Sequence, residues 1–135
     1  MTPIWIAIVQ HLLWASLLLA RGDLRTTGLG WIIDASGGPR YAGLVLLVVA
    51  ALALIPHFLR VGGISSLCCY IPQQILVTLG ALHAAHHVFL QQYADNARYP
   101  WDFILADQSL QIILAIFHSR ALLRHVRAGR GGWLW

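Results

Sequence analysis

Residues 41–59 read YAGLVLLVVAALALIPHFL, nineteen positions without an Asp, Glu, Lys or Arg. A run of that length and character matches what an α-helix needs to cross the ~30 Å hydrocarbon core of a bilayer. Three further apolar runs flank it, at Pro3–Ala20, Ile71–Leu90 and Phe103–Leu123. The expected fold is therefore all-α, a four-helix transmembrane bundle. It forms a single integral membrane domain over residues 1–135, with spans at about 3–20, 41–59, 71–90 and 103–123 and a basic tail at 124–135.

Composition points the same way. Apolar residues make up 59% of the 135 positions and charged residues 10%, and the chain contains no Lys and no Glu. Once four spans are assigned, too little chain is left for a separate soluble domain. Nine Arg against five Asp leave a formal charge of +4. In this setting the excess meets lipid head groups. It forms no basic stripe interleaved with exposed aromatics, so nucleic acid is not an expected partner. Use of Arg and never Lys is the bias of a GC-rich genome.

The first charged side chain is Arg21, after the first apolar run has ended. A cleavable signal peptide opens with positive residues instead, so the first run reads as a retained span. Five Arg, namely Arg60, Arg120, Arg124, Arg127 and Arg130, stand on one side of the assigned spans against four on the other. Arginines near span ends mark the cytoplasmic side. The expectation is a multi-pass protein of the cytoplasmic (inner) membrane with both termini inside and Arg120, Arg124, Arg127 and Arg130 against the lipid surface.

The loops carry turn chemistry. Thr26-Thr27-Gly28 and Ser36-Gly37-Gly38-Pro39 bracket Leu29-Gly30-Trp31-Ile32-Ile33, which is too apolar for a solvated linker. That segment is expected in the interface with Trp31 at head-group depth. Pro56 is expected to kink or end the second span. Gly62-Gly63 and Ser65-Ser66 read as a short loop that also holds Cys68 and Cys69. Pro72 then suits the first turn of the third span. Adjacent cysteines would close a strained ring, so they read as thiols, with S-palmitoylation the alternative.

Of the seven histidines, all but His125 fall within the four runs. Ionisable groups inside a bilayer are costly and face the bundle interior or each other. At ~1.5 Å per residue from the inner boundary, His11 lies at ~12 Å and His57 and His118 at ~7 Å. His83 and Gln111 lie at ~18 Å, and His87 and Asp107 at ~24 Å. Two layers follow: an outer cluster of His83, His87, Asp107, Gln108 and Gln111, and an inner layer of His11, His57 and His118, with Gln10 beside it. His83 and His87 are four residues apart, as are Asp107 and Gln111, so each pair shares a helix face. Gly80 and Ala84 lie on the face of the first pair and permit close helix approach.

Four uses of these side chains compete. They can hydrogen-bond across helices and fix the packing. His83, His87 and Asp107 can offer two imidazoles and a carboxylate to zinc or iron. His57 and His118 can hold a haem axially between helices. The same groups can line a proton or ion path. Neither haem nor a transition metal is favoured. Ser109 and Ser119 lack a glycine-rich elbow, and without Lys no Schiff base forms, so the sequence supports no catalytic residue and no enzymatic assignment.

Ile71-Pro72-Gln73-Gln74, Tyr93-Ala94-Asp95, Phe103-Ile104-Leu105-Ala106-Asp107-Gln108 and Phe117-His118-Ser119 follow one another in the second half. This arrangement resembles small polytopic membrane proteins of GC-rich bacteria and their phages, over residues 71–123. That family brings no assigned chemistry and no site residue to carry over. The resemblance implies a holin-like role: a self-associating protein that permeabilises the membrane. The density of intramembrane polar groups departs from simple holins. The alternatives are a haem- or metal-binding membrane subunit of an electron-transfer complex, and an accessory packing subunit of a larger membrane complex. Expected partners are the lipid bilayer and further copies of the chain or other membrane subunits.

Overall fold

The structure, a computed structural model, describes residues 3–22, 29–59, 61, 63–86 and 101–127, without the side chains of 63 and 101–108. The described residues form helices and no strand: α1 (Pro3–Arg21), α2 (Gly30–Ser36), α3 (Pro39–Leu59), α4 (Gly63–His86) and α5 (Trp101–Arg127). Helices α1, α3 and the Ile64–His86 part of α4 are long and apolar enough to cross a membrane. Helix α5 is longer still, at 27 residues, but its C-terminal half carries Arg120, Arg124 and Arg127.

The buried positions explain why the helices associate. On α4 they are Ser66, Tyr70, Gln73, Val77, Gly80 and Ala84, and on α5 Gln111, Leu114, His118, Leu122 and His125. Both series advance by steps of three and four, strictly alternating on α4, the repeat that keeps a seam facing a partner helix. On α1, Ile4, Ile8, His11, Ala15 and Leu18 follow the same rule, with Ala7 adjoining. Small residues line the meeting of α1 and α3, and Gly43 sits at a close approach. A Cβ there would stand 2.9 Å from Leu19 Cγ and 3.3 Å from the Ala15 carbonyl oxygen. Small residues of this kind let helix backbones approach where lipid, not water, surrounds them.

The core clusters fix direction. Ala15 and Leu18 pack with Ala42 and Leu46, whereas Ile4 and Ile8 pack with Ala50 and Ala53, so α1 and α3 run antiparallel. Gln74 meets His118 and Gly80 meets Gln111, so α4 and α5 do too. Tyr70 and Leu122 join the Ile4 cluster, and Leu76 packs on the Ala15 cluster. The outward side chains Leu44, Val45, Leu47 and Val48 of α3, and Leu110, Ile113, Ile116 and Phe117 of α5, are exposed and apolar.

Three local expectations are revised. Helix α4 begins at Gly63, so Ser65, Ser66, Cys68 and Cys69 are helical and not in a loop, and the two thiols, expected to be buried, are exposed at Cys68 and half-buried at Cys69. Pro72 therefore lies inside α4, and Pro56 lies inside α3, which continues to Leu59. Each proline withholds one intrahelical N–H. Membrane helices tolerate this because neighbouring helices and side chains satisfy the freed carbonyl. Trp31 does not simply face outward. Helix α2 buries Ile32 and Ile33 against Ala15, Leu18, Ala42 and Leu46, and Trp31 packs with them. Its ring lies over Gly80, where a Cβ would be 3.8 Å away. Gly37, at φ +87°, ends α2, and the N–H of Gly38 bonds the Ile33 carbonyl at 2.9 Å. This left-handed cap turns the chain directly into α3.

Candidate polar site within the bundle

The α4–α5 seam carries several buried polar side chains, and those about His118 find one another. His118 is fully buried. Its Nδ1 lies 2.6 Å from Gln74 Oε1 and its Nε2 2.9 Å from Gln73 Oε1. Consecutive glutamines on α4 thus grip both nitrogens of one imidazole. The Gln74 amide donates to Ser119 Oγ at 2.8 Å and to Thr78 Oγ1 at 2.9 Å. Ser119 Oγ in turn donates to the Ala115 carbonyl at 2.7 Å. The Gln73 amide donates to the Ile4 carbonyl of α1 at 3.4 Å, a long bond. Three helices are thereby joined through one buried ring.

The protonation logic of this contact follows from the donor inventory. A carboxamide oxygen only accepts, so a ring facing two such oxygens satisfies both by carrying two N–H groups. A neutral ring satisfies one and needs the other amide to turn its NH₂ inward. Gln74 can turn, because the Thr78 hydroxyl can donate to its oxygen while Ser119 keeps its bond to Ala115. Turning Gln73 would set its oxygen against the Ile4 carbonyl oxygen.

One turn towards the N-terminus of α4, four rings from four helices meet. Trp5 and His57 have ring centroids 4.6 Å apart, and Tyr70 Oη shares a hydrogen bond with His57 Nε2 at 3.2 Å. The edge of Tyr70 meets His125 with centroids 6.2 Å apart. In the other direction, Ala7, Val77 and Leu114 form a small apolar cluster. One further turn along each helix stand His11 on α1, Gly80 and Ala81 on α4 and Gln111 on α5. His11 and Gln111 are buried, and His11 Nδ1, Gln111 Nε2 and Gln10 Oε1 have no hydrogen-bond partner among the described residues. His11 is nonetheless within electrostatic reach of His118. Trp31 and His83, with centroids 6.4 Å apart, lie beyond them.

Of the residues singled out in the sequence, then, the structure brings His11 towards His118 and sends His57 to Trp5 and Tyr70. His83 pairs with Trp31, and Gln111 stands beside Gly80. His87 and Arg130 lie outside the described residues, as do the side chains of Asp107 and Gln108. Arg120, Arg124 and Arg127 are exposed on α5. The described residues hold no group of three or more His, Cys, Asp or Glu suited to a metal ion. Both nitrogens of His118 are engaged by glutamines and Nε2 of His57 by Tyr70, so this pair does not present two open nitrogens to a haem. Gln73, Gln74 and Tyr70 are the members of the site that sequence reasoning missed. Their signal is the three–four repeat Ser66, Tyr70, Gln73, Val77, Gly80, which puts Tyr70 and Gln73 on the buried seam with Gln74 adjoining it.

An apolar groove of about 340 Å³ opens between α1 and α5, lined by Pro3, Ile6, Leu110, Ile113, Leu114 and Phe117. It offers no polar side chain. Compared with known proteins, the chain matches no family model, no curated protein and no solved structure.

Proposed function

We propose that this chain is a four-helix transmembrane bundle of the cytoplasmic membrane, with both termini inside, that self-associates and makes the membrane permeable in a holin-like manner. The observation that carries this reading is the recurrence of buried polar residues along one seam. Gln111, His118 and His125 are each two turns apart on α5, all buried and all turned inward. Packing alone is served by apolar residues at such positions, and each polar one adds a desolvation cost. A column repeated through the thickness of the bundle suits passage of a polar species. The small face of α4 supports a modified view of self-association. Gly80 and Ala84 are buried within the chain. Contact between copies is therefore assigned to the exposed apolar sides of α3 and α5 and the groove beside α1.

The test is reconstitution. Liposomes holding the purified protein should lose an ion gradient faster than empty ones, and crosslinking in the bilayer should yield multimers. A protein that crosslinks only as a monomer and leaves gradients intact refutes the proposal.

A further inference from the structure

We infer that the permeant is the proton, which crosses the apolar Ala7–Val77–Leu114 layer inside a single bundle by passing between His118 and His11. The inference rests on the permeability reading above and narrows it to one species and one route.

Four observations converge. First, His118 is held with both ring nitrogens on amide oxygens, at 2.6 and 2.9 Å. That cradle accepts the doubly protonated ring as it stands, and the neutral ring after Gln74 turns. A site satisfied in both states is what a proton carrier requires. Second, His11 Nδ1 is buried and unpartnered among the described residues, as is Gln111 Nε2 one turn above Leu114. Both groups stand one turn beyond the Ala7–Val77–Leu114 cluster on their own helices, on the side where Gly80 meets Gln111. Third, the layer between the two histidines consists of Ala7, Val77 and Leu114. It is one turn thick and has one small member. A hydrated metal ion does not pass such a layer without shedding its water shell, whereas a proton needs only a transient water wire. Fourth, polar groups continue at both ends, to His57, Tyr70 and His125 on one side and His83 on the other.

The step balances without any co-reactant except water. An N–H bond of the His118 imidazolium breaks, a proton moves through water, and an N–H bond forms at Nδ1 of neutral His11, so one positive charge moves and nothing is oxidised. The titratable groups about His118 are His11 on α1, Tyr70 one turn away on α4, His57 on α3 through Tyr70, and His125 two turns along α5. Arg120 on α5 is exposed.

The experiment uses the full chain in liposomes, with an internal pH dye and, separately, potassium- and dye-release readouts. Proton flux should exceed potassium flux at equal driving force by at least a hundredfold. His11→Asn and His118→Asn should each lower proton flux tenfold or more, and Val77→Ala, which thins the apolar layer, should raise it several-fold. ¹⁵N NMR of His118 should show a ring that carries two N–H groups at acid pH and Nε2–H alone when neutral. Equal proton and potassium flux overturns this inference and leaves the permeability reading standing. No flux of any kind overturns both. Proton flux unaffected by His11→Asn and His118→Asn, or a neutral His118 protonated at Nδ1, overturns the route.

Discussion

His118 and Gln74, 44 residues apart in the chain, meet at 2.6 Å across the α4–α5 seam. Gln73 closes on the other side of the same ring. This contact fixes both the rotation and the height of one helix against the other. Either helix displaced by one residue would part both amide oxygens from the imidazole.

His118→Leu should therefore destabilise the bundle by about 1–3 kcal/mol, the range for buried polar groups left unpaired. Gln73→Leu should also destabilise it, and the double variant should lose less than the sum of the two. Unfolding in mixed micelles reads this directly. Strict additivity would mean that the two side chains do not interact.

Glycine positions should divide sharply. Gly43→Val places atoms where even a Cβ would be 2.9 Å from Leu19 Cγ, and should cost about 1–3 kcal/mol through overpacking of α1 on α3. At Gly80 the nearest atoms to a Cβ are 3.7 and 3.8 Å away, ordinary contact distances. Gly80→Ala should stay within about 0.5 kcal/mol of the native protein. Thermal melts of both variants in one detergent make the comparison.

Gly37→Ala forces a Cβ into the left-handed region at φ +87°. The expected loss is about 1–2 kcal/mol. Because Gly37 ends α2, the loss should be local. Hydrogen exchange should quicken across Gly30–Ser36 and remain unchanged in α1 and α5.

The arginine-rich end should be cytoplasmic. A thiol engineered at the C-terminus should resist an impermeant maleimide applied to intact cells and react after lysis. Replacing Arg120, Arg124, Arg127 and Arg130 together with Gln should produce a mixed population of orientations. Labelling of the unaltered arginine form from outside would reverse the assignment.

Apolar runs made α1 and α3 legible in the sequence, because nothing but a span or a deeply buried helix accounts for them. The start of α4 was not legible. Gly62-Gly63 and Ser65-Ser66 carry loop chemistry, yet Ser66 is a buried seam residue of the helix. Beginning α4 at Gly63 instead of Ile71 moves every depth along it by about 12 Å. Gln73 and Gln74 thereby shift from the edge of a span to its interior, where they reach His118. Depth alone grouped His57 with His118. Side-chain direction parted them, since Tyr70 intercepts His57 first.

The helices also differ in reach. At ~1.5 Å per residue, the 19 and 21 residues of α1 and α3 extend about 28 and 32 Å, close to the hydrocarbon thickness. The 24 and 27 residues of α4 and α5 extend about 36 and 40 Å. In the proposed four-span arrangement, the longer pair leans or protrudes more than the shorter one. Thinning or thickening the lipid thus loads the two pairs unequally and shears the boundary between them. The His57–Tyr70 and Gln73–Ile4 hydrogen bonds lie on that boundary, so in this arrangement bilayer thickness has a mechanical grip on the polar interior.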